Sequence, residues 1–119
     1  MKAVNAYIRH ALVGKVIEAL WRAGFSNMTL FDAKGVTTGL PAEEYDYSLE
    51  LAEPYVNVVR LEMVCRDQDA DEIVRLVQTN AHTGQTGDGL IFVTPVERIV
   101  RIATGGEGSE GMTRRGDSK

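Results

Sequence analysis

Hydrophobic and polar positions follow regular spacings along the first third of the chain. Residues 2–9 alternate apolar and polar side chains, which predicts a β-strand. From Ala11 to Ala23 the apolar residues recur at helical intervals, and Gly24 stands where a left-handed C-cap is wanted, so this segment predicts a helix. Residues 27–34 then predict a second strand.

The segment that follows, residues 36–56, has no convincing period. It contains Gly39, Pro41 and Pro54, and its charged residues are all acidic. Long stretches of this kind inside a compact domain are usually functional or disordered loops, and we expect residues 37–53 to be poorly ordered without a ligand or partner. The acids are Glu43, Glu44, Asp46, Glu50 and Glu53.

Regular spacing returns in the second half. Residues 57–65 alternate, which predicts a strand with Val59, Leu61, Met63 and Cys65 on one face. An apolar stripe with acids near its start predicts a helix from about Asp69 to Ala81. A polar, glycine-bearing turn follows over residues 82–89.

The last patterned segments are LIFVTPV and VERIVRIA, which predict one or two strands separated around Pro95. Each half of the chain is therefore a strand–helix–strand unit. This order favours an α+β fold, a ferredoxin-like βαββαβ sandwich with a long loop between its halves and an extra C-terminal strand. We expect one domain over residues 1–104 and a flexible, glycine-rich tail over residues 105–119.

Composition narrows the classes of function. The chain has 119 residues, enough for one domain, and its net charge of −4 argues against general affinity for nucleic acid or anionic membranes. No apolar run approaches the length that spans a bilayer, so no direct membrane insertion is expected. The single cysteine, Cys65, excludes an internal disulfide and suits a reducing compartment, so a cytoplasmic location is expected.

One long motif carries a resemblance to a known family. Residues 83–105 read TGQTGDGLIFVTPVERIVRIATG, which resembles the C-terminal signature of the PII nitrogen-regulatory proteins. The similarity continues upstream without a gap, with DAKG at 32–35 and RLEMV at 60–64. It covers about residues 1–106.

The resemblance implies a regulator rather than an enzyme. PII proteins are homotrimers with adenine-nucleotide sites in the clefts between subunits, and they need no obligatory cofactor. Residues 36–56 match the family's T-loop, which docks onto a regulated transporter or enzyme. Residues 82–89 match its B-loop, which wraps the nucleotide phosphates.

The candidate site follows from the same match. Glycines on either side of Asp88 let backbone N–H groups approach a phosphate closely, although such a turn alone is more often only a tight connection. At the family position Arg101 reaches a phosphate across the subunit boundary, whereas a lone strand arginine is usually solvated. The predicted nucleotide-binding residues are Thr29, Gly35, Glu62, Val64, Gly87, Asp88, Gly89 and Arg101.

Several positions depart from the family pattern. Leu90, Ala103 and Val58 stand where the family usually has cations for the β- and γ-phosphates. Gly39 replaces the glutamine that helps to place Mg²⁺ with ATP and 2-oxoglutarate. We therefore expect a divergent member that favours ADP or AMP over ATP, with a link to bicarbonate and inorganic-carbon metabolism or to nitrogen metabolism.

Two other classes of protein stay open at this point. A trimeric metal-tolerance protein of the ferredoxin-like kind would need a Cys/His cluster, but His10, His82 and Cys65 lack ligand spacing. A weak nucleotide hydrolase would need a positioned general base and a metal-binding carboxylate near residues 82–89. The residues suggest no catalytic group and no metal site.

Overall fold

The computed structural model describes residues 1–36, 46–48 and 53–108. Its elements in chain order are β1 (Lys2–Arg9), a 3₁₀ turn (His10–Leu12), α1 (Val13–Arg22), β2 (Thr29–Gly35), β3 (Asp46–Ser48), β4 (Glu53–Cys65), α2 (Asp67–Ala81) and β5 (Ile91–Pro95).

Four strands form an antiparallel sheet in the order β2-β4-β1-β5, and the short β3 pairs with the beginning of β4. The first strand is central because β4 and β5 pair on its two sides. This order, with two helices in the crossovers, confirms the predicted α+β ferredoxin-like fold.

The hydrophobic core lies between one face of the sheet and the two helices. The alternating strands place their apolar residues on this face, and the helices place their apolar stripes against it. Both helices contribute to a single core cluster, so they cover the same face of the sheet. Its fully buried members include Val4, Ala6, Leu61, Val16, Leu20, Ile73 and Val77.

Helix boundaries differ slightly from the predicted ones. The first helix begins at Val13 because residues His10–Leu12 form a 3₁₀ turn. The second begins at Asp67, and Asp67 and Asp69 lie in its first turn, where acidic side chains interact favourably with the helix dipole. No helix among the described residues is long and apolar enough to cross a bilayer.

The opposite face of the sheet, which we call the open face, carries the other half of each alternating pattern. The strand register places Asn5, Tyr7, Phe31, Arg60, Glu62, Val64 and Phe92 there. Phe31 and Val64 are 43% and 39% exposed, so this chain alone leaves apolar surface uncovered on the open face.

The loop between the two halves is shorter than the predicted 36–56. Strand β4 begins at Glu53, four residues before the predicted start, and its first residues pair with Asp46–Ser48. The sequence pattern missed this hairpin because Pro54 is a weak strand residue, although proline is tolerated at a strand edge. The remaining residues of the loop, 37–45 and 49–52, lie outside the described residues.

The predicted extra C-terminal strand does not form in the described chain. Residues 96–103 alternate as a strand would, yet the only pairing there is an isolated bridge between Val100 and Glu107. A strand needs a continuous partner, and the described part of the chain offers this segment only that bridge and isolated backbone hydrogen bonds, such as that from Val96 to Met1. Ile102 is consequently fully exposed.

The first residues of the predicted flexible tail, 105–108, belong to the described part of the chain. Residues 105–108 fold back, with a hydrogen bond from the Gly105 amide to the Arg101 carbonyl (2.7 Å) and an ion pair between Arg98 and Glu107 (2.6 Å). Residues 109–119 lie outside the described residues.

Candidate functional site

The glycine loop, residues 82–89, connects the end of α2 to β5. Gly84, Gly87 and Gly89 have φ angles of +85°, +99° and +92°, whereas Asp88 does not have a positive φ. Glycines of positive φ on either side of a residue without one are a backbone pattern found in anion-binding nests. The glycines of the motif thus occupy positions of positive φ, which other residues rarely adopt.

Gly89 also sets how closely the loop approaches the sheet. A Cβ atom at this position would lie 2.0 Å from the carbonyl oxygen of Tyr7 in β1. The neighbouring Leu90 carbonyl accepts a hydrogen bond from the Tyr7 amide (2.9 Å), so this approach is part of the sheet ladder. Only glycine fits at position 89, because a Cβ atom would have no room and because the φ angle is positive.

The carboxylate of Asp88 points into the glycine loop and not outward. It accepts hydrogen bonds from the amides of Thr83 and Gly84 (2.9 Å each), from the Thr83 hydroxyl and from the Arg9 guanidinium (3.0 Å). Partial burial favours a raised pKa, but the Thr83, Arg9 and Gly84 hydrogen bonds outweigh it and hold the pKa of Asp88 well below its usual value. Asp88 thus stabilises the loop from within and stays ionised.

Arg9 is a site residue that the sequence patterns do not reveal. It ends β1, is only 8% exposed, and also donates to the Thr86 carbonyl (2.8 Å). Its charge at the end of an apolar strand was the available signal, but nothing in the local pattern indicates a partner in a distant loop.

Three other predicted residues lie together on the open face. Thr29 in β2 stands directly opposite Glu62 in β4, and Val64 lies two residues further along the same face. Arg60 donates hydrogen bonds to the Glu62 carboxylate (2.9 Å) and to Asn5 Oδ1 (3.0 Å), and its guanidinium carbon lies 5.3 Å from the centre of the Phe31 ring. The charge of Glu62 is therefore balanced within the chain.

Gly35 and Arg101 lie apart from these groups. Gly35 ends β2 opposite Val56, and an added Cβ would lie 3.3 Å from a Val56 methyl group, which is tighter than an ordinary contact. Arg101 follows β5, its side chain is exposed, and its amide donates to the Gly106 carbonyl (2.8 Å). The predicted residues are thus distributed along the sheet.

One chain consequently holds the predicted site in separate pieces. The glycine loop adjoins the end of β1, whereas Thr29, Glu62 and Val64 lie farther along the sheet. Within residues 1–36 and 53–108, no hydrogen bond or ion pair joins those three residues to Gly87, Asp88 or Gly89.

The positions that depart from the family pattern differ in exposure. Leu90 is 57% exposed and Ala103 is exposed, whereas Val58 is 6% exposed and packs in the sheet. Leu90 also lines an apolar cleft of about 390 Å³ between α2 and the ends of β1 and β5, with Val74, Gln78 and His82. Two of the three positions therefore have room for a long cation.

The remaining titratable groups do not form a reactive site among the described residues. Burial, assisted by Asp69, raises the pKa of the Cys65 thiol to about 11, so the thiol stays protonated and is a poor nucleophile or metal ligand. No group of three or more His, Cys, Asp or Glu residues within the described ranges converges on one point as a metal site requires. His82 Nδ1 lies 3.8 Å from the Asp88 carboxylate. That carboxylate accepts four hydrogen bonds, so Asp88 is a weak base.

Comparison with known proteins gives one consistent result. The profile of the family described as nitrogen regulatory protein P-II matches residues 1–113. The chain is 36% identical over 112 residues to a nitrogen regulatory protein P-II of Azospirillum brasilense, covering 94% of this chain and 100% of that protein. It is 34% identical over 112 residues to nitrogen regulatory protein P-II 1 of Methanothermobacter thermautotrophicus, covering 94% and 97% of the two chains.

Proposed function

Because the chain belongs to the nitrogen regulatory protein P-II family, we propose that it senses ADP or AMP and controls a partner protein. In this proposal the nucleotide binds in the clefts between the subunits of a homotrimer. Residues 36–56 then contact the regulated transporter or enzyme, in inorganic-carbon, bicarbonate or nitrogen metabolism. The protein acts by binding and catalyses no reaction.

The observation that carries the proposal is the shape of the glycine loop. The positive φ angles of Gly87 and Gly89 on either side of Asp88, with the close approach of Gly89 to Tyr7, support a loop backbone that receives a phosphate. The hydrogen bonds to Asp88 hold this form, so little ordering entropy is lost on binding.

The separation of the site residues supports binding between subunits. Each chain presents the glycine loop at one place and Thr29, Glu62 and Val64 at another, so a neighbouring chain is needed to bring complementary pieces together. The open face supports the same assembly, since Phe31 and Val64 are partly exposed and the buried Nε of Arg60 lacks a partner within the described chain.

We expect the protein to be a stable trimer. Multi-angle light scattering at micromolar concentration should give about three times the chain mass of 13.1 kDa. Replacing Phe31 by aspartate on the open face should shift the mass toward the monomer, because a charge would be buried in the contact. The exposed residue Gln68 on α2 offers a control, Gln68→Asp, that should leave the trimer intact. A monomeric wild-type protein at these concentrations would contradict the intersubunit site.

The nature of the ligand follows from the charge of the site. A triphosphate needs more compensating cations than a diphosphate, and the family cations are absent at Leu90, Ala103 and Val58. Gly39 stands where the family has a glutamine that helps to place Mg²⁺ with ATP and 2-oxoglutarate, so that side-chain contact is absent here.

The direct test is calorimetric titration with AMP, ADP and ATP. We expect ADP or AMP to bind at least as tightly as ATP, and 2-oxoglutarate with Mg²⁺ not to strengthen ATP binding. If none of the three nucleotides binds, the proposed function is wrong. Clear ATP preference with 2-oxoglutarate synergy would instead indicate the usual ligand response of the family.

The acidic segment 36–56 favours a basic surface on the regulated protein. Its five acids and absence of basic residues give it a local negative charge. Electrostatic attraction of this kind accelerates association and weakens as salt concentration rises, so partner binding should be salt-sensitive.

A further inference from the structure

Arg9, the last residue of strand β1, is a buried charged residue that contacts the glycine loop. Its Nε donates to Asp88 Oδ1 (3.0 Å), and its Nη2 donates to the Thr86 carbonyl (2.8 Å). The two contacts fall two residues apart in the loop and are 79 and 77 residues from Arg9 in sequence. One guanidinium therefore connects a central strand of the sheet to two points of the loop.

The burial of Arg9 strengthens its ion pair with Asp88. Its side chain is 9% exposed and that of Asp88 is 24% exposed, so the ion pair is screened less by water than a surface pair. A buried cation without its partner is unfavourable, and the same holds for a partly buried carboxylate. Each charge therefore holds the other in place, and the loop that carries Asp88 is held with it.

The charge of Asp88 would otherwise oppose the binding of an anion. A carboxylate within a phosphate-binding loop repels the phosphate, and the effect is large where water is partly excluded. The Arg9 guanidinium cancels that charge from the side of the sheet. At the same time its planar fork fixes both Asp88 and the Thr86 carbonyl, which an ammonium group does less well.

We propose that Arg9 is a positioning residue for anion binding, which acts through Asp88 by holding the glycine loop in its phosphate-binding shape. Asp88 then serves the site from inside the loop and does not contact the nucleotide. The inference rests on the proposed function for the identity of its ligand. Amide exchange of the loop in the free protein tests the positioning role independently of that ligand.

The experiment uses full-length Arg9→Met, Asp88→Asn, the double variant and Arg9→Lys. Arg22→Met is the matched control, because Arg22 pairs only with Glu18 in an exposed contact on α1 among the interactions described (2.6 Å). Circular dichroism first establishes that each variant is folded. Amide exchange of residues 83–89 in the free protein and calorimetric titration with ADP are then measured.

We expect the amides of the loop to exchange faster in Arg9→Met and in Asp88→Asn, while those of α2 and the control variant stay unchanged. The dissociation constant of ADP should rise by about tenfold in Arg9→Met, on the order of the loss of one charge-assisted contact. Arg9→Lys should lie between Arg9→Met and the wild type, because it keeps the charge and loses the fork.

The double variant decides whether Arg9 acts through Asp88. If it does, Arg9→Met and Asp88→Asn together weaken ADP binding no more than the worse single variant. Additive losses, or a protected loop and unchanged ADP affinity in Arg9→Met, would overturn the inference. If the wild-type protein fails to bind ADP, the proposed function fails, while faster loop exchange in Arg9→Met would still support the positioning role. Should Arg9→Met not fold, Arg9→Lys takes its place in the exchange and titration measurements, alone and combined with Asp88→Asn, and unchanged loop exchange and ADP affinity in Arg9→Lys would then overturn the inference.

Discussion

Gly89→Ala is expected to destabilise the protein by about 3 kcal/mol and to abolish measurable ADP binding. The added Cβ would lie 2.0 Å from the Tyr7 carbonyl oxygen, which belongs to the central strand and has little freedom to move. The residue would also keep a φ of +92°, which alanine rarely adopts. The loop must therefore leave the sheet, and the hydrogen bond between Tyr7 and Leu90 is lost with it.

Gly84→Ala is the matched control for this prediction. Gly84 lies in the same loop with a φ of +85°, but the nearest atom to its added Cβ belongs to the exposed His82 side chain at 3.8 Å. Only the conformational strain remains, at about 1 kcal/mol. Urea unfolding at one protein concentration, with ADP titration, compares the two variants, because the stability of an oligomer depends on concentration. Equal losses in both would show that the close approach of Gly89 to β1 is not what stabilises the loop.

Much of the fold could be predicted because local spacing and burial agree. Strand β1 was predicted with its observed bounds, since Val4, Ala6 and Ile8 alternate with the residues of the open face. The second half of β4 was also predicted, with Leu61, Met63 and Cys65 buried as the pattern indicated, although the strand begins four residues earlier than expected, at Glu53. A period of two residues and a one-sided core specify each other, so little else is needed.

The failures occurred where a pairing partner decides the structure. Residues 96–103 alternate as a strand does, yet the described chain offers them only the Val100–Glu107 bridge and isolated backbone hydrogen bonds. Conversely, Glu53 and Pro54 look unlike a strand but pair with β3. Local pattern describes what a segment can form, and the partner determines whether it forms.

The sequence predicted the glycines of the candidate site, but it did not predict the ion pair that holds the glycine loop in place. The glycines of the loop were identified from the motif, and their positive φ angles agree with that interpretation. Asp88 was named with the glycines as part of the nucleotide-binding turn, and nothing in the sequence indicated that its carboxylate would accept hydrogen bonds from the loop itself and from Arg9. This ion pair joins residues 79 positions apart, and no local period in one sequence indicates such a contact.

Restoring two cations should move the ligand preference toward ATP by about 1–2 kcal/mol, or roughly five- to thirtyfold in the ratio of ADP to ATP dissociation constants. The double variant Leu90→Lys/Ala103→Arg is suitable because both positions are exposed and accept long side chains without repacking. Val58→Lys is left out because Val58 is 6% exposed, and a buried ammonium would lower stability and obscure the result.

The control must separate local charge from total charge. Gln68→Lys/Thr79→Arg adds the same two cations at exposed positions of α2, outside the glycine loop. General attraction of anions would strengthen ATP binding equally in both double variants, and salt would weaken it equally. Contacts at the site would strengthen ATP binding only in Leu90→Lys/Ala103→Arg, since a charge-assisted hydrogen bond requires the cation to reach the γ-phosphate. If neither variant changes the ratio of the ADP and ATP dissociation constants, positions 90 and 103 do not face the phosphates, and the ligand preference must be set by other residues.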